Sequence, residues 1–389
     1  MSGLAAGQVA VDALADEEVS AGEADAAVDW DGWRPRLVRG REPLWRSHGC
    51  VQLGLDPWQA VAIDGLSPAL AELVRGLDGG RTGRRLVAEA VAAGADAGEA
   101  VGLLADLAAA GLIEDARVAG SVPDELAADV QAWRSRTGTM GLDLVDQRSN
   151  ATVEVHGDGR VAISVAMLLA AAGVGRVLVR ARGRVTRADV GIGYLGDDVG
   201  QARGPVATAA IDRHRVPGSA PEPDRRPLDA TGPVGRRRGT VADVAVLADS
   251  AVHDVALATR LVCERIPHLA TQVVDGRAVV GPFVLPGRTG CLRCTDLHRS
   301  ERDPCWPRIA AQLAVRPSTA SHAGTAVAAG MAAEQVLGLL AGSGEAVAIG
   351  ASVDVDPLTG RLARRPWRPH PACGCGAAPP RRGGPGTAA

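Results

Sequence analysis

The sequence predicts an α/β fold whose sheet is parallel in its first half and mixed in its second, preceded by a small module of two strands and three helices. Three observations predict it. From Ala151 onward, apolar strand-like runs alternate regularly with helical periods. Between the first such strand and the first such helix lies His156-Gly157-Asp158-Gly159-Arg160-Val161-Ala162, where α/β sheets place a phosphate loop. Two cysteine pairs, Cys291-Leu-Arg-Cys294 and Cys373-Gly-Cys375, fall late in the chain.

Residues 1–42 are acidic and Ala-rich without periodicity, so they are expected to be disordered; no basic region precedes an apolar run, so no signal peptide is read there. Residues 43–117 form the small module. Runs 50–55 and 60–63 read as strands around Asp56-Pro57. Ser67-Pro68 supplies an N-cap with proline in the first turn of a helix ending at Asp78-Gly79-Gly80. Helices over 82–93 and 96–110 follow, the last with Leu103, Leu104 and Leu107 on one face. Strands followed by three short helices outline a winged helix. Residues 118–148 are a helical connector, and 149–376 hold the α/β domain.

In that domain, strands are expected at 152–156, 176–179, 241–248, 269–274 and 278–284, with helices at 160–172, 200–211, 252–265 and 319–340. A hairpin over 347–365 closes it. The Pro-, Gly- and Arg-rich stretch 213–240 reads as a mobile loop, and 377–389 as a disordered tail. The most apolar stretch, 161–174, is too short to span a bilayer. The expectation is a soluble, cytoplasmic protein.

Composition narrows the chemistry. Net charge is −3, against a nucleic-acid footprint, and aromatic residues are 2%, so the cores are aliphatic. No lysine occurs, which removes Schiff-base chemistry and a phosphate-binding lysine. In the small module acids outnumber arginines, and the last helix carries Asp96, Glu99 and Asp106. Phosphate binding needs the opposite sign, so peptide addition to a strand edge is the better reading.

Gly157 would permit the tight turn, Gly159 would let backbone approach a phosphate, and Ala162 takes the close-packing position. A nucleotide site also wants an acid ending the second strand; that strand ends Val179-Arg180-Ala181-Arg182. Asp249 ends the 241–248 strand and could coordinate magnesium or cap the helix beginning near Val252. The four paired cysteines, Cys291, Cys294, Cys373 and Cys375, have the spacing of a closed zinc site, with a redox dithiol or chance spacing as the alternatives. Cys50 and Cys263 read as core residues, and Cys305 as a loop residue near Arg302 and Arg308. With four thiolates at hand, neither His298 nor His322 is needed as a ligand.

Taken together, Gly157-x-Gly159, Asp249 after an apolar strand, Gly290-Cys-Leu-Arg-Cys294 and the late cysteine pair resemble the ThiF family, relatives of ubiquitin-activating enzymes. The closing Arg365-Pro-Trp-Arg-Pro-His-Pro-Ala-Cys-Gly-Cys375 is similar to ThiF-like proteins associated with azoline-forming peptide biosynthesis, which carry an N-terminal winged-helix recognition element. The resemblance covers roughly residues 43–376. It implies a Rossmann-type ThiF domain with structural zinc, a precursor leader peptide as ligand, a separate cyclodehydratase as catalytic partner, and pairing into a homodimer. It also implies the alternative of an adenylyltransferase, with ATP phosphates on Gly157 and Gly159 and magnesium on Asp249. The departures are Arg180-Ala181-Arg182, a segment Asp189-Val-Gly-Ile-Gly-Tyr-Leu-Gly196 without the Asn/Arg/Gln character of active members, and the missing lysine. They imply a degenerate nucleotide site.

Overall fold

The computed structural model describes residues 30–55, 60–119, 122–137, 141–218, 242–314, 316, 320–344 and 346–377. The expected disorder at 1–29 and in the tail from 378, and the loop 219–240, lie outside the described residues. The chain divides into two compact units, Met1–Val118 and Ala119–Ala389.

The first unit runs β1 (Pro35–Leu37), β2 (Pro43–Ser47), β3 (Cys50–Leu53), β4 (Val61–Ile63), α1 (Pro68–Arg75), α2 (Gly83–Ala92), α3 (Ala97–Ala109) and β5 (Ile113–Asp115), with α4 (Ala116–Ala119) at its end. Strands β2, β3 and β4 form an antiparallel sheet, and β1 pairs with β5. Each of the three longer helices begins where a side chain accepts from its first-turn amides: Ser67, Thr82 and Asp96. Leu70, Leu73, Leu86, Leu104 and Leu107 close the core beneath Val51 and Leu53.

Residues 30–42 correct the expectation of disorder through 42. Trp30 and Trp33 meet edge to face with centroids 5.2 Å apart and pack on this core. Two indoles supply the apolar area that the preceding residues lack. Strand β2 was also not expected, because its Pro-Leu-Trp-Arg-Ser sequence carries no clean alternation.

The second unit runs α5 (Ala127–Thr137), α6 (Gly141–Ser149), β6 (Thr152–His156), α7 (Arg160–Ala171), β7 (Arg176–Arg180), α8 (Arg203–His214), β8 (Val244–Ala248), α9 (Val255–Cys263), β9 (His268–Val274) and β10 (Arg277–Val284). It continues with α10 (Leu292–Arg302), α11 (Trp306–Leu313), α12 (His322–Leu340), β11 (Ala351–Val355) and β12 (Leu362–Pro366). One seven-stranded sheet has the order β7-β6-β8-β9-β10-β11-β12. Its first four strands are parallel and the rest antiparallel. The sheet is therefore mixed, as expected.

All five residues of β8 are buried, the signature of a strand covered on both faces. On one face α7 and α12 pack over Val153, Val155, Val246 and Leu269. On the other, Leu261 of α9 and Leu292 of α10 cover Ala245, Leu247 and Ala270. Helix α12 is long and apolar enough to cross a membrane by length and composition. Ala328, Ala332 and Val336 are fully buried within the protein, so it is a core helix.

Helices α10 and α11 were not expected. In α10 the sequence Leu-Arg-Cys-Thr-Asp-Leu-His-Arg-Ser-Glu-Arg is too polar to show a period. Cys263 is exposed rather than core, because α9 buries Leu261 instead. Cys50 is only half-buried. Strand β12 is exposed along its length, and Arg364, Arg365 and Pro366 make it a poor template for further pairing.

Leu169 lies in the last turn of α7 and is fully buried. Leu169→Ala is expected to lower stability by about 2–5 kcal/mol, read from urea unfolding of the full chain.

Candidate functional site

The site follows from strand order. Chain from β6 runs outward to β7, then returns to place β8 on the other side of β6. The crevice beyond the carboxyl ends of β6 and β8 is thus a topological switch point. A cleft of about 1020 Å³ opens there, bordered by 156–160 and 247–250.

Helix α7 begins in this crevice with a problem. Its N-cap is Gly159, which has no side chain to accept from the first-turn amides. Asp249, the first residue after β8, solves it. Its Oδ2 accepts from the N–H of Gly159 at 2.9 Å and of Ala162 at 3.0 Å, and its Oδ1 from Val161 at 3.0 Å. To reach them Asp249 adopts a φ of 66°, a left-handed conformation uncommon outside glycine. Burial pushes its carboxyl up and the three amide donors pull it back, leaving it raised.

The two glycines serve this carboxylate. A Cβ on Gly159 would stand 2.7 Å from Asp249 Oδ1; one on Gly157 would stand 2.8 Å from the Ala162 Cβ and 2.9 Å from Asp249 Oδ2. The expected cap on the helix near 252 is corrected. Helix α9 starts at Val255 and uses its own Asp254, which accepts from Ala256 and Leu257, while Asp249 caps a helix some 90 residues earlier in the chain.

Beside this lies a second cluster that the sequence did not reveal. Glu154 and His156 share one face of β6. The Glu154 carboxylate is 6% exposed and accepts from Arg180 at 2.8 Å and from His156 Nε2 at 3.0 Å, with Arg260 at 3.7 Å. Burial alone would raise its pKa; the Arg180 and His156 hydrogen bonds overcome that and hold it below the usual range. Burial also lowers His156, which is neutral at pH 7. Arg180, at the strand end where an acid was sought, is thus paired by an acid on the neighbouring strand. The available signal was a Glu at the centre of Thr-Val-Glu-Val-His, a position its alternation leaves covered.

Among the described residues the cleft is close to neutral. Arg160, Arg180, Arg182, Arg203 and Arg316 line it, and so do Asp158, Asp189, Asp249 and Asp254. With Glu154 behind Arg180 the formal charges cancel. Several are already engaged: Arg203 with Asp189 at 2.6 Å, and Arg160 with the Ala320 carbonyl at 2.9 Å.

The structure brings the four cysteines together at the start of α10 and beyond β12. Sγ–Sγ separations are 3.7 Å for Cys291–Cys294, 3.6 Å for Cys291–Cys373 and 3.7 Å for Cys294–Cys375. A tetrahedral ion with ~2.3 Å metal–sulfur bonds has an edge of about 3.8 Å, so the cluster could hold zinc. Disulfide bonding, at ~2.05 Å, is far from these values. His298, Glu301 and His370 also converge. There the His370 Nδ1 accepts from Ala372 N–H, so its Nε2 carries the proton and donates to Glu301 at 2.7 Å. That is a hydrogen-bonded clasp rather than a ligand set. His322 opens α12, and Cys305 is exposed.

Glu154→Gln is expected to destabilise the protein by about 1–3 kcal/mol near pH 7. Because the folded-state pKa of Glu154 is depressed, its contribution is present above the unfolded value near 4.5 and is lost as pH falls through the folded value. The gap between wild type and variant in denaturant midpoint should therefore narrow as pH drops below about 4.5.

A search of curated protein sequences finds no match. Solved structures do match. Escherichia coli MccB with ATP is 16% identical at a TM-score of 0.63, covering 88% of this chain and 99% of that one. The microcin C7 biosynthetic enzyme MccB with N-formylated MccA gives 16% and 0.64 over the same shares. PaaA gives 15% and 0.61, over 84% of this chain and 98% of its own. At such identities the likeness is one of fold. Residues 134–377, more than half of the chain, match the ThiF family model, and the chain belongs to the ThiF family.

Proposed function

We propose that this chain is a ThiF-type partner protein in peptide modification. In this reading it binds the leader of a precursor peptide through a winged-helix module at 43–117 and presents the peptide to a separate cyclodehydratase. It is cytoplasmic and does not itself adenylate. One observation carries the reading: the amides that would hold a nucleotide phosphate already bond the chain's own Asp249. Carboxyl adenylation must align a triphosphate and neutralise its developing charge. A cleft with cancelled charges and a chain without lysine are poorly equipped for that. The peptide half draws support from MccB, solved with the peptide MccA.

A second reading is favoured by the size of the cleft and by the ATP that MccB holds. Here Asp249 would leave α7 to carry magnesium, freeing Gly157 and Gly159 for phosphates, and the protein would adenylate a peptide or small-protein carboxyl terminus.

Calorimetric titration of the full chain with magnesium-ATP separates the two. The partner reading expects no heat up to millimolar nucleotide, and loss of precursor binding when 43–117 are deleted. Micromolar binding that Asp249→Ala abolishes would overturn it.

We also propose that Cys291, Cys294, Cys373 and Cys375 hold one structural zinc. Bound there, the ion supplies no open coordination position and acts as a staple. Purified protein should carry one zinc per chain. Cys294→Ser or a strong chelator should lower the melting temperature sharply, since zinc-site binding free energies reach ~10 kcal/mol and feed directly into folding. Metal-free protein with unchanged melting would contradict the assignment.

A further inference from the structure

We propose that helix α11 and the arginines beside it form a docking surface for the acidic residues 1–29 of a second copy of this protein. The inference is independent of what the cleft at the strand ends binds.

The surface has an apolar half and a cationic half. Trp306, Ile309, Ala310 and Leu313 recur on α11 at the i, i+3, i+4 and i+7 positions, the stripe that an amphipathic helix turns toward a core. Here no residue of α11 is buried, and Ile309 is 38% exposed. The helix therefore displays an apolar face without a core to receive it.

The cationic half adjoins it through Trp306. Arg299 lies 4.7 Å from the Trp306 ring centroid and 5.5 Å from that of Trp367. Arg302 and Arg365 lie 5.2 Å and 5.9 Å from the same Trp367 centroid. Three guanidiniums thus gather around one buried indole, an arrangement that like-charge repulsion opposes. Nearby acids answer only in part. Asp296 stands 3.7 Å from Arg299 and Asp354 3.5 Å from Arg365, while Arg302 has no carboxylate partner among the described residues. The chain adds none afterwards: residues 357–377 hold four arginines and no acid.

Residues 1–29 match both halves. They carry seven acids and no basic residue, with Leu4, Val9, Val11, Leu14 and Val19 interspersed. Carboxylates pair with guanidiniums through charge-assisted hydrogen bonds, and the aliphatic side chains can cover the α11 stripe. A nucleic acid fits less well. Trp367 is buried and Trp306 already carries Arg299, so the indoles that would stack on bases are engaged. Two copies exchanging these segments form a closed pair in which every contact is made twice.

The test uses the full chain with the photo-crosslinking substitution Ile309→benzoylphenylalanine, at a position exposed enough to accept it. Light and heavy-isotope copies are mixed in equal amounts and illuminated, and mass spectrometry reads the joined peptides. Position 309 of one isotope form should be joined to residues 1–29 of the other. Raising salt from about 0.1 M to about 1 M shortens the screening length from about 10 Å to about 3 Å and should lower the yield. Arg302→Glu should lower it about ten-fold, and Glu17→Arg with Glu18→Arg on the other copy should restore it, which misfolding of the first variant would not allow. Joins to any other segment, joins only within one isotope form, no joins at all, a yield indifferent to salt, or failure of the restoring pair would each overturn the proposal. Magnesium-ATP titration and precursor binding report on the proposed function separately, so either conclusion can fail while the other stands.

Discussion

The second unit is organised by one carboxylate satisfying one helix. A helix that starts on glycine between two buried strands must find acceptors for its first amides, and water has limited access there. Asp249 provides them from the next strand, at the cost of a left-handed backbone. Three constraints follow. Strands β6 and β8 are tied through the helix between their ends. Positions 157 and 159 must lack a side chain. The first amides of α7 at the crevice are bonded to the chain's own Asp249 side chain.

The fold was largely legible. Buried strands such as Val-Ala-Val-Leu-Ala248, and α7 with its run of small and branched residues, announce themselves because burial on both faces demands continuous apolar sequence. The cysteine cluster was legible because thiolate spacing is a local property. What failed were features decided by distant partners. Nothing near Asp249 indicates which helix it caps, since α9 brings Asp254 of its own and the true client lies about 90 residues earlier. Arg180 looked like a lost acid only until β6 supplied Glu154 from the adjoining strand. The N-terminal tryptophans were overruled by the acidic composition around them, although two indoles suffice to anchor a short strand.

ThiF-type folding at about 16% identity shows how little of the sequence the architecture needs. The sheet asks for aliphatic strands in the right order. The crevice asks only that β6 and β8 end side by side. Shared fold and shared chemistry are separate matters.

The cysteine cluster has a consequence in time. Its two halves are 82 residues apart, so at a synthesis rate of roughly 5–20 residues per second the first pair waits several seconds for the second. During that interval Cys291 and Cys294 stand next to each other without their partners, while the first unit, complete by residue 118, has long been free to fold. The clasp closes late in biogenesis, and whatever protects a lone vicinal dithiol in the nascent chain becomes part of how this protein is made.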